Sequence, residues 1–371
     1  MNVVVGMSHL RKLSLMSPLQ MLHTTKRKLS SVTAKNHASL ESLLELVPQT
    51  ATKFITKNLP AAPVGSRGTF GGTLVAQSLL ASLYTVPTNF VPTSLRCYFI
   101  NGGDPTNMIT YQVEKLRDGR NFIHRQIRAY QHNKLIFQSM ILFSNQRNSN
   151  DAHDSLHHLA HLDNLTPLPP TETHQDAASL YTEKIIKNGN LQRYAHLSER
   201  FLDTEHLQRQ IDTFETGPME YQFPKDIFYT QNKQEMLKYY VRIRQPIIQT
   251  QDDAAVASET KLITPETDAR YNYVAFAYLS DSYLLLTLPY FHELPLYSHN
   301  FSVSLDHTVY FHQLPAVNDW IFLRVKSVRS HWDKHLVQGE YYDTRSGDIV
   351  ASVSQEGLVS YDSEEAIRAK F

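Results

Sequence analysis

Phe70-Gly71-Gly72-Thr73-Leu74-Val75-Ala76-Gln77-Ser78-Leu79-Leu80-Ala81-Ser82-Leu83 reads as a helix whose apolar residues are not confined to one stripe. Such a helix has no face to offer to water and is expected to be buried on most sides. Gly71 and Gly72 leave room for other backbone to approach its start. Four strand-like runs follow, at Ser94–Ile100, Met108–Leu116, Phe122–Gln131 and Leu135–Ser144. Asp118-Gly119 and His132-Asn133-Lys134 mark tight turns between them.

The plan recurs in the second half. The run Tyr271–Leu285 is again apolar on most sides, and Thr264-Pro265-Glu266 reads as its start, with Pro at the first helical position. Strands are expected at Phe301–Phe311, Trp320–Val328, His335–Tyr342 and Ile349–Tyr361, with Ser346-Gly347-Asp348 as a turn. Ser94-Leu95 and Ser304-Leu305 begin equivalent strands after the two helices. A lone helix hidden on most sides needs a sheet that curls around it. Duplicating that unit predicts an α+β chain of two similar domains packed together. The period is too long for a solenoid of short repeats.

The segment between the halves changes character. Residues 147–176 carry His153, His157, His158, His161 and His174 with Pro167, Pro169 and Pro170. No spacing matches a helical His-Glu-x-x-His metal site, so the stretch reads as a solvated linker. A short helix at Ala177–Ile186 is expected to cross between the halves, Gly217–Phe223 and Tyr239–Arg244 look extended, and residues 247–262 look like a loop. The expected division is a basic N-terminal extension at 1–39, a first unit at 40–146, a linker at 147–215, a second unit at 216–362 and a tail at 363–371.

The chain has 371 residues, is 42% hydrophobic and can bury sizeable cores. Its formal net charge is zero, which argues against nucleic acid as a partner. No apolar stretch is long enough to span a bilayer. Cys97 is the only cysteine, so neither an internal disulfide nor a cysteine-based metal cluster is possible, and it reads as a packed thiol. Both ends resemble addresses. Residues 1–40 hold no Asp or Glu but include Arg11, Lys12, Lys26, Arg27, Lys28 and Lys35, as a mitochondrial presequence does. An alternative is an extension before a later start at Met7, Met16 or Met21. At the other end, Ala369-Lys370-Phe371 follows the small–basic–bulky logic of the peroxisomal Ser-Lys-Leu tail, with Phe371 in place of Leu.

Three separated side chains in the second half stand out. Asp281 shares a helical face with Val274, Ala277 and Tyr278. It falls in the later half of its expected helix, where the macrodipole disfavours negative charge, and burial would raise its pKa further. An acid so placed needs hydrogen bonds that favour its ionised form; the plain alternative is a helix-end residue facing water. Ser304 alternates with Ser302 and Asp306, opposite Val303 and Leu305, and Gln355 alternates with Val353 and Gly357. An acid, a hydroxyl and an amide can jointly position a water molecule. Ser304, Asp306 and His307 lie too close on one strand for a Ser-His-Asp triad, and the chain has no Gly-x-Ser-x-Gly elbow.

From about residue 40 to the end the chain resembles the type II acyl-CoA thioesterases, close to their fungal peroxisomal members. The resemblance rests on Gly68-Thr69-Phe70-Gly71-Gly72, Arg117-Asp118-Gly119-Arg120-Asn121-Phe122, Tyr278-Leu279-Ser280-Asp281-Ser282, Ser304-Leu305-Asp306-His307 and Gln355-Glu356-Gly357. It implies a double hotdog fold, two curled antiparallel sheets each wrapped around its own helix. It implies a catalytic Asp, Ser or Thr, and Gln, matched here by Asp281, Ser304 and Gln355. It also lends weight to Ala369-Lys370-Phe371 as a tail read by the peroxisomal import receptor, while the basic extension leaves dual mitochondrial targeting open.

The implied reaction is hydrolysis of a fatty acyl-CoA to free acid and coenzyme A. Asp281 would act as general base on a water held by Ser304 and Gln355, and a backbone N–H would stabilise the oxyanion. Neither metal nor cofactor is implied, coenzyme A being part of substrate and product. The acyl chain needs an apolar channel between helix and sheet, and the phosphates need a Lys or Arg that the sequence does not single out; Arg120 reads as a structural turn residue. A homo-oligomer is expected by analogy. Two rivals are a hotdog enoyl-CoA hydratase using Asp306-His307, whose side chains should face opposite ways, and a non-catalytic acyl-CoA-binding protein.

Overall fold

The computed structural model describes residues 37–145, 156, 158–187, 189–248 and 263–371. The basic extension up to residue 36, His153 and His157, and most of the 247–262 loop lie outside the described residues.

The first half opens with α1 (Leu40–Leu44) and the hairpin β1 (Leu46–Thr50) and β2 (Lys53–Thr56). Helix α2 (Gly71–Leu83) follows, buried at every position from Gly72 to Leu83. Strands β3 (Phe90–Phe99), β4 (Thr110–Asp118), β5 (Phe122–Gln131) and β6 (Lys134–Asn145) curl around it. The β5–β6 turn has His132 and Asn133 at positive φ, the two-residue hairpin geometry that twisted strands prefer.

The linker is more structured than the sequence suggested. It contains β7 (His174–Asp176), α3 (Ala177–Tyr181) continued by a π-helical turn to Ile186, α4 (Asn190–Leu197), a 3-10 turn at Glu199–Leu202 and α5 (Thr204–Thr216). Its earlier part is mostly exposed among the described residues, but three leucines anchor it. Leu159, Leu162 and Leu165 pack on Tyr240, Trp320, Phe322, Tyr342 and Ile349, a cluster separate from the main core. His161 pairs with Asp348 at 3.1 Å, and His174 sits in β7 with its ring against Tyr240. These histidines are used one at a time, as packing and hydrogen-bonding groups.

The second half has β8 (Met219–Pro224), β9 (Leu237–Ile243), α6 (Tyr271–Ser280), a 3-10 turn at Leu285–Thr287, α7 (Leu288–Phe291), β10 (His299–Ser304), β11 (Asp306–Phe311), β12 (Ile321–His331), β13 (Lys334–Asp343), β14 (Ile349–Tyr361) and α8 (Glu364–Lys370). The strands join in one antiparallel sheet of order β1-β2-β4-β5-β6-β3-β11-β14-β13-β12-β9-β8-β7, with β10 also on β14. The halves meet where β3 pairs with β11, from Tyr98 opposite Asp306 to Ser94 opposite Tyr310. Inside the curl, α2 packs directly on α6, and one hydrophobic core runs through both halves. This is the expected architecture of two curled sheets, each around a buried helix.

Three element boundaries differ from expectation. Thr264-Pro265-Glu266 forms a turn and the helix begins later, at Tyr271, because Asp268 is spent on a buried ion pair with Arg270 at 2.6 Å. The same helix stops at Ser280 rather than Leu285, because Tyr283 takes φ 51°. The left-handed region is costly for a bulky residue. Here it is held by the Tyr283 ring packing on Phe223 and by the Tyr239 hydroxyl donating to the Ser282 and Tyr283 carbonyls. The expected strand Phe301–Phe311 breaks at Leu305. Its N–H donates to Glu356 O, its carbonyl accepts from Phe99 N, and the Asp306 carboxylate accepts the Glu356 N–H at 2.8 Å in place of a ladder bond.

Cys97 is buried, its thiol 3.3 Å from the His307 carbonyl, and desolvation raises its pKa well above the usual thiol value. Packing is its role. Arg120 is exposed and its carbonyl accepts from the Asn145 side chain, a turn residue as expected. Nothing in the local pattern marks Arg125 as buried, yet it is 1% exposed. It ties the β4–β5 turn to the end of α2 through Thr85, Arg117 O, His124 O and Asp118. No helix among the described residues is long and apolar enough to cross a membrane.

Candidate active site

The three separated side chains come together. Gln355 Nε2 donates to Asp281 Oδ1 at 2.5 Å and to Ser304 Oγ at 3.0 Å. Each arrives by a different route. Asp281 caps the C-terminal end of α6. Ser304 ends β10 just before the break at Leu305, opposite Gly357 on β14. Gln355 lies on the inward face of β14, where Val353, Gly357 and Val359 are also buried. Gly357 is required here, since a Cβ on it would fall 2.2 Å from a Leu285 methyl. Leu285 thus occupies the inner-face space beside Gln355.

The residue that sequence reasoning missed comes from the other half. Helix α2 has no side-chain cap of its own. The Gly72 N–H donates to Asp281, so a carboxylate from the second half serves as the acceptor that an N-terminal helix turn needs. The approach is close. A Cβ on Gly71 would lie 2.6 Å from Asp281 Oδ2, and one on Gly72 would lie 2.4 Å from the Tyr278 carbonyl oxygen. The visible signal was the glycine pair at a helix start.

This junction answers the electrostatic difficulty of an acid at a helix C-terminus. The end of α6 disfavours the charge, but the positive end of α2 faces the same carboxylate. Desolvation is the largest influence and lifts the Asp281 pKa, while Gln355 and the Gly72 N–H pull it back, leaving it at about 7. A carboxylate that titrates near neutrality is suited to taking a proton from water.

The hydrogen-bond inventory leaves groups with capacity. Both amide hydrogens of Gln355 are spent on Asp281 and Ser304, so the Ser304 hydroxyl accepts from Gln355 and keeps its own hydrogen to donate. Gln355 Oε1 is buried with no hydrogen-bonding partner among the described residues. Phe70 and Phe99 line the glycine side, Phe70 with its ring 5.1 Å from that of Tyr278.

Asp306 and His307 diverge. Asp306 turns to the Glu356 N–H, whereas His307 is 0% exposed with Nε2 2.9 Å from Ser280 Oγ. Burial drives the His307 pKa down to about 3, so it stays neutral. The pair cannot act on one substrate atom.

Comparison with known proteins bears on the family and the fold. The acyl-CoA thioesterase N-terminal domain profile matches residues 60–144, and the acyl-CoA thioesterase profile matches residues 230–358. Over 343 residues, 90% of this chain and 98% of the other, the sequence is 59% identical to peroxisomal acyl-coenzyme A thioester hydrolase 1 of Saccharomyces cerevisiae. The chain belongs to the acyl-CoA thioesterase family. Among solved structures, acyl-CoA thioesterase II of Mycobacterium marinum superposes with a TM-score of 0.59 at 22% identity, covering 87% of this chain and 98% of that one. A hot dog fold protein of Alicyclobacillus acidocaldarius does so with 0.58 at 14%, covering 89% and 100%. These likenesses establish the fold as a double hotdog.

Proposed function

We propose that Asp281, Ser304 and Gln355 hold one water molecule against the thioester carbonyl of a fatty acyl-CoA and hydrolyse it to free acid and coenzyme A. Membership of the family makes the chain a thioester hydrolase; the assignment of roles is our reading. Asp281 accepts a hydrogen bond from the water and takes its proton as the oxygen attacks. The Ser304 hydroxyl donates to that water, and Gln355 fixes both partners while its free Oε1 accepts the second water hydrogen. The carbonyl becomes an oxyanion and collapses. The C–S bond breaks, and Asp281 returns the proton to the leaving thiolate. A hydroxyl, a carboxylate and an amide need neither a covalent acyl-enzyme nor a bound cofactor for this sequence.

The observation that carries the reading is the shared amide of Gln355, bonded to a carboxylate of pKa about 7 and to a hydroxyl with a hydrogen to spare. Thiol release from a panel of purified acyl-CoA esters tests it. Release with straight-chain fatty acyl-CoA is expected; enoyl-CoA hydration without thiol release, or acyl-CoA binding without turnover, would overturn it.

We read the units as 40–146 and 216–362, with the site at their junction. The relative from Saccharomyces cerevisiae is named peroxisomal. That name and the Ala369-Lys370-Phe371 terminus support peroxisomal import of this chain by a receptor for the tail. Ala369 and Lys370 are exposed in α8, Lys370 paired with Asp362 at 2.6 Å, while Phe371 lies against Tyr194 and Tyr229. The outer sheet face exposes Tyr98, Met140 and Phe301, which supports self-association, checked by sedimentation velocity.

A further inference from the structure

Arg200 stands in the 3-10 turn Glu199–Leu202 of the linker. Its guanidinium is largely withdrawn from water, stacked over the rings of Phe201 and Tyr297 at 5.2 and 5.6 Å, and Nη2 donates to the Tyr297 carbonyl at 2.9 Å. Nε is buried with no partner, and no carboxylate pairs with this arginine among the described residues. The next residue after Tyr297, Ser298, also has a buried hydroxyl without a partner. The pKa values of the neighbouring His206 and His299 are lowered, first by desolvation and then by the arginine's charge. A cation withdrawn from water with no counter-charge is costly unless an anion visits it.

Two chain segments connect this arginine to the candidate active site. Strand β10, which begins two residues after Tyr297, runs from His299 to Ser304, six residues whose ends lie ~17 Å apart. The exposed loop that starts near Gly65 passes over the cluster and ends at Gly71 beside Asp281; a Cβ on Gly65 would lie 3.0 Å from His206 and 3.9 Å from Arg200 Nη1. In coenzyme A, the chain from sulfur to diphosphate spans about a dozen bonds, the reach of about four extended residues, or ~15 Å. That arm is of similar length to β10 itself.

We propose that Arg200 binds a phosphate of the coenzyme A moiety while the thioester lies at Asp281. The proposal rests on the thioesterase reading and adds the site for the anionic end of the substrate. Arginine suits it because its planar fork presents parallel donors to phosphate oxygens. Replacing the interaction should cost about tenfold to a hundredfold in affinity, the scale of a charge-assisted hydrogen bond.

The test compares acyl-CoA, acyl-dephospho-CoA and acyl-pantetheine as substrates for wild type, Arg200→Gln and Arg200→Lys, with calorimetric binding of coenzyme A and pantetheine alongside. Arg200→Gln should raise KM for acyl-CoA about tenfold or more, leave kcat within a factor of two or three, and leave KM for acyl-pantetheine unchanged. Arg200→Lys should recover part of the loss. Acyl-dephospho-CoA tracks acyl-CoA if the diphosphate is bound and acyl-pantetheine if the 3′-phosphate is. Equal losses on acyl-CoA and acyl-pantetheine would make Arg200 a structural latch and overturn the proposal, as would unchanged KM for both. Absence of thiol release by the wild type would instead sink the thioesterase reading, and calorimetry would still decide the anion site: coenzyme A bound more weakly by Arg200→Gln with pantetheine unaffected supports it, and no difference refutes it.

Discussion

The proposed role asks Asp281 to be buried enough to be a base and hydrogen-bonded enough to lose its proton. With its pKa at about 7, kcat/KM should rise with pH through a single ionisation near neutrality and level off above it, because only the carboxylate accepts a proton. A flat profile between pH 5 and 9 would rule out this base. The folding consequence has the opposite sign. The folded pKa lies above the usual 3.8, so the folded state binds the extra proton between these values, and this group's contribution to stability falls as pH rises from about 4 to about 7. Asp281→Asn should therefore be at least as stable as wild type at pH 8, by up to ~4 kcal/mol and less where water reaches the side chain, as thermal unfolding would show. Gln355→Glu places a second carboxylate beside the first. It should push the pH–rate profile upward by about one unit or more while lowering the plateau; an unmoved midpoint would mean that residue 355 does not address Asp281. The acid, hydroxyl and amide were legible because their types and strand alternation are local properties. Gly72 as a donor was not, since a backbone N–H carries no sequence signature and its acceptor lies more than 200 positions away.

The decisive elements are the two buried helices, and they meet end to end at the site. A methyl group at Gly72 has no room against the Tyr278 carbonyl. Gly72→Ala should push α2 away from α6, cost about 1–3 kcal/mol and reduce kcat by tenfold or more, read by denaturant unfolding and thiol release. Full activity with full stability would show that the helix ends are not in contact. Arg125→Met should cost about 2–4 kcal/mol without changing KM, because it strands the Thr85, Arg117 and His124 carbonyls that the guanidinium satisfies. Both helices could be read from sequence because a run apolar on all sides has only one environment. Their ends could not. Thr264-Pro265-Glu266 carries helix-start chemistry, but Asp268 is diverted to Arg270, and Tyr283 turns the chain only because distant aromatic rings hold it there. The amphipathic linker helices α4 and α5 are masked in the sequence by the proline- and histidine-rich stretch that precedes them.

At the scale of the molecule, a second half alone would lack the α2 terminus whose Gly72 N–H donates to Asp281, the proposed base. The continuous sheet through β3 and β11 and the shared core keep the halves in register. The tail is a separate matter: deleting residues 369–371 should leave turnover within a factor of two or three and abolish peroxisomal location of a fluorescent fusion, and persistent import would show that the address lies elsewhere. The duplicated plan was legible because two helix-then-strands units repeat in order; the junction was not, because no local pattern says that β3 and β11 pair. Thiol release by Asp281→Asn, with coenzyme A binding measured on the same protein, tests the central claim most directly. Turnover should fall by about 10³-fold with affinity unchanged. Thiol release within tenfold of wild type would show that another group, and not this carboxylate, activates the water.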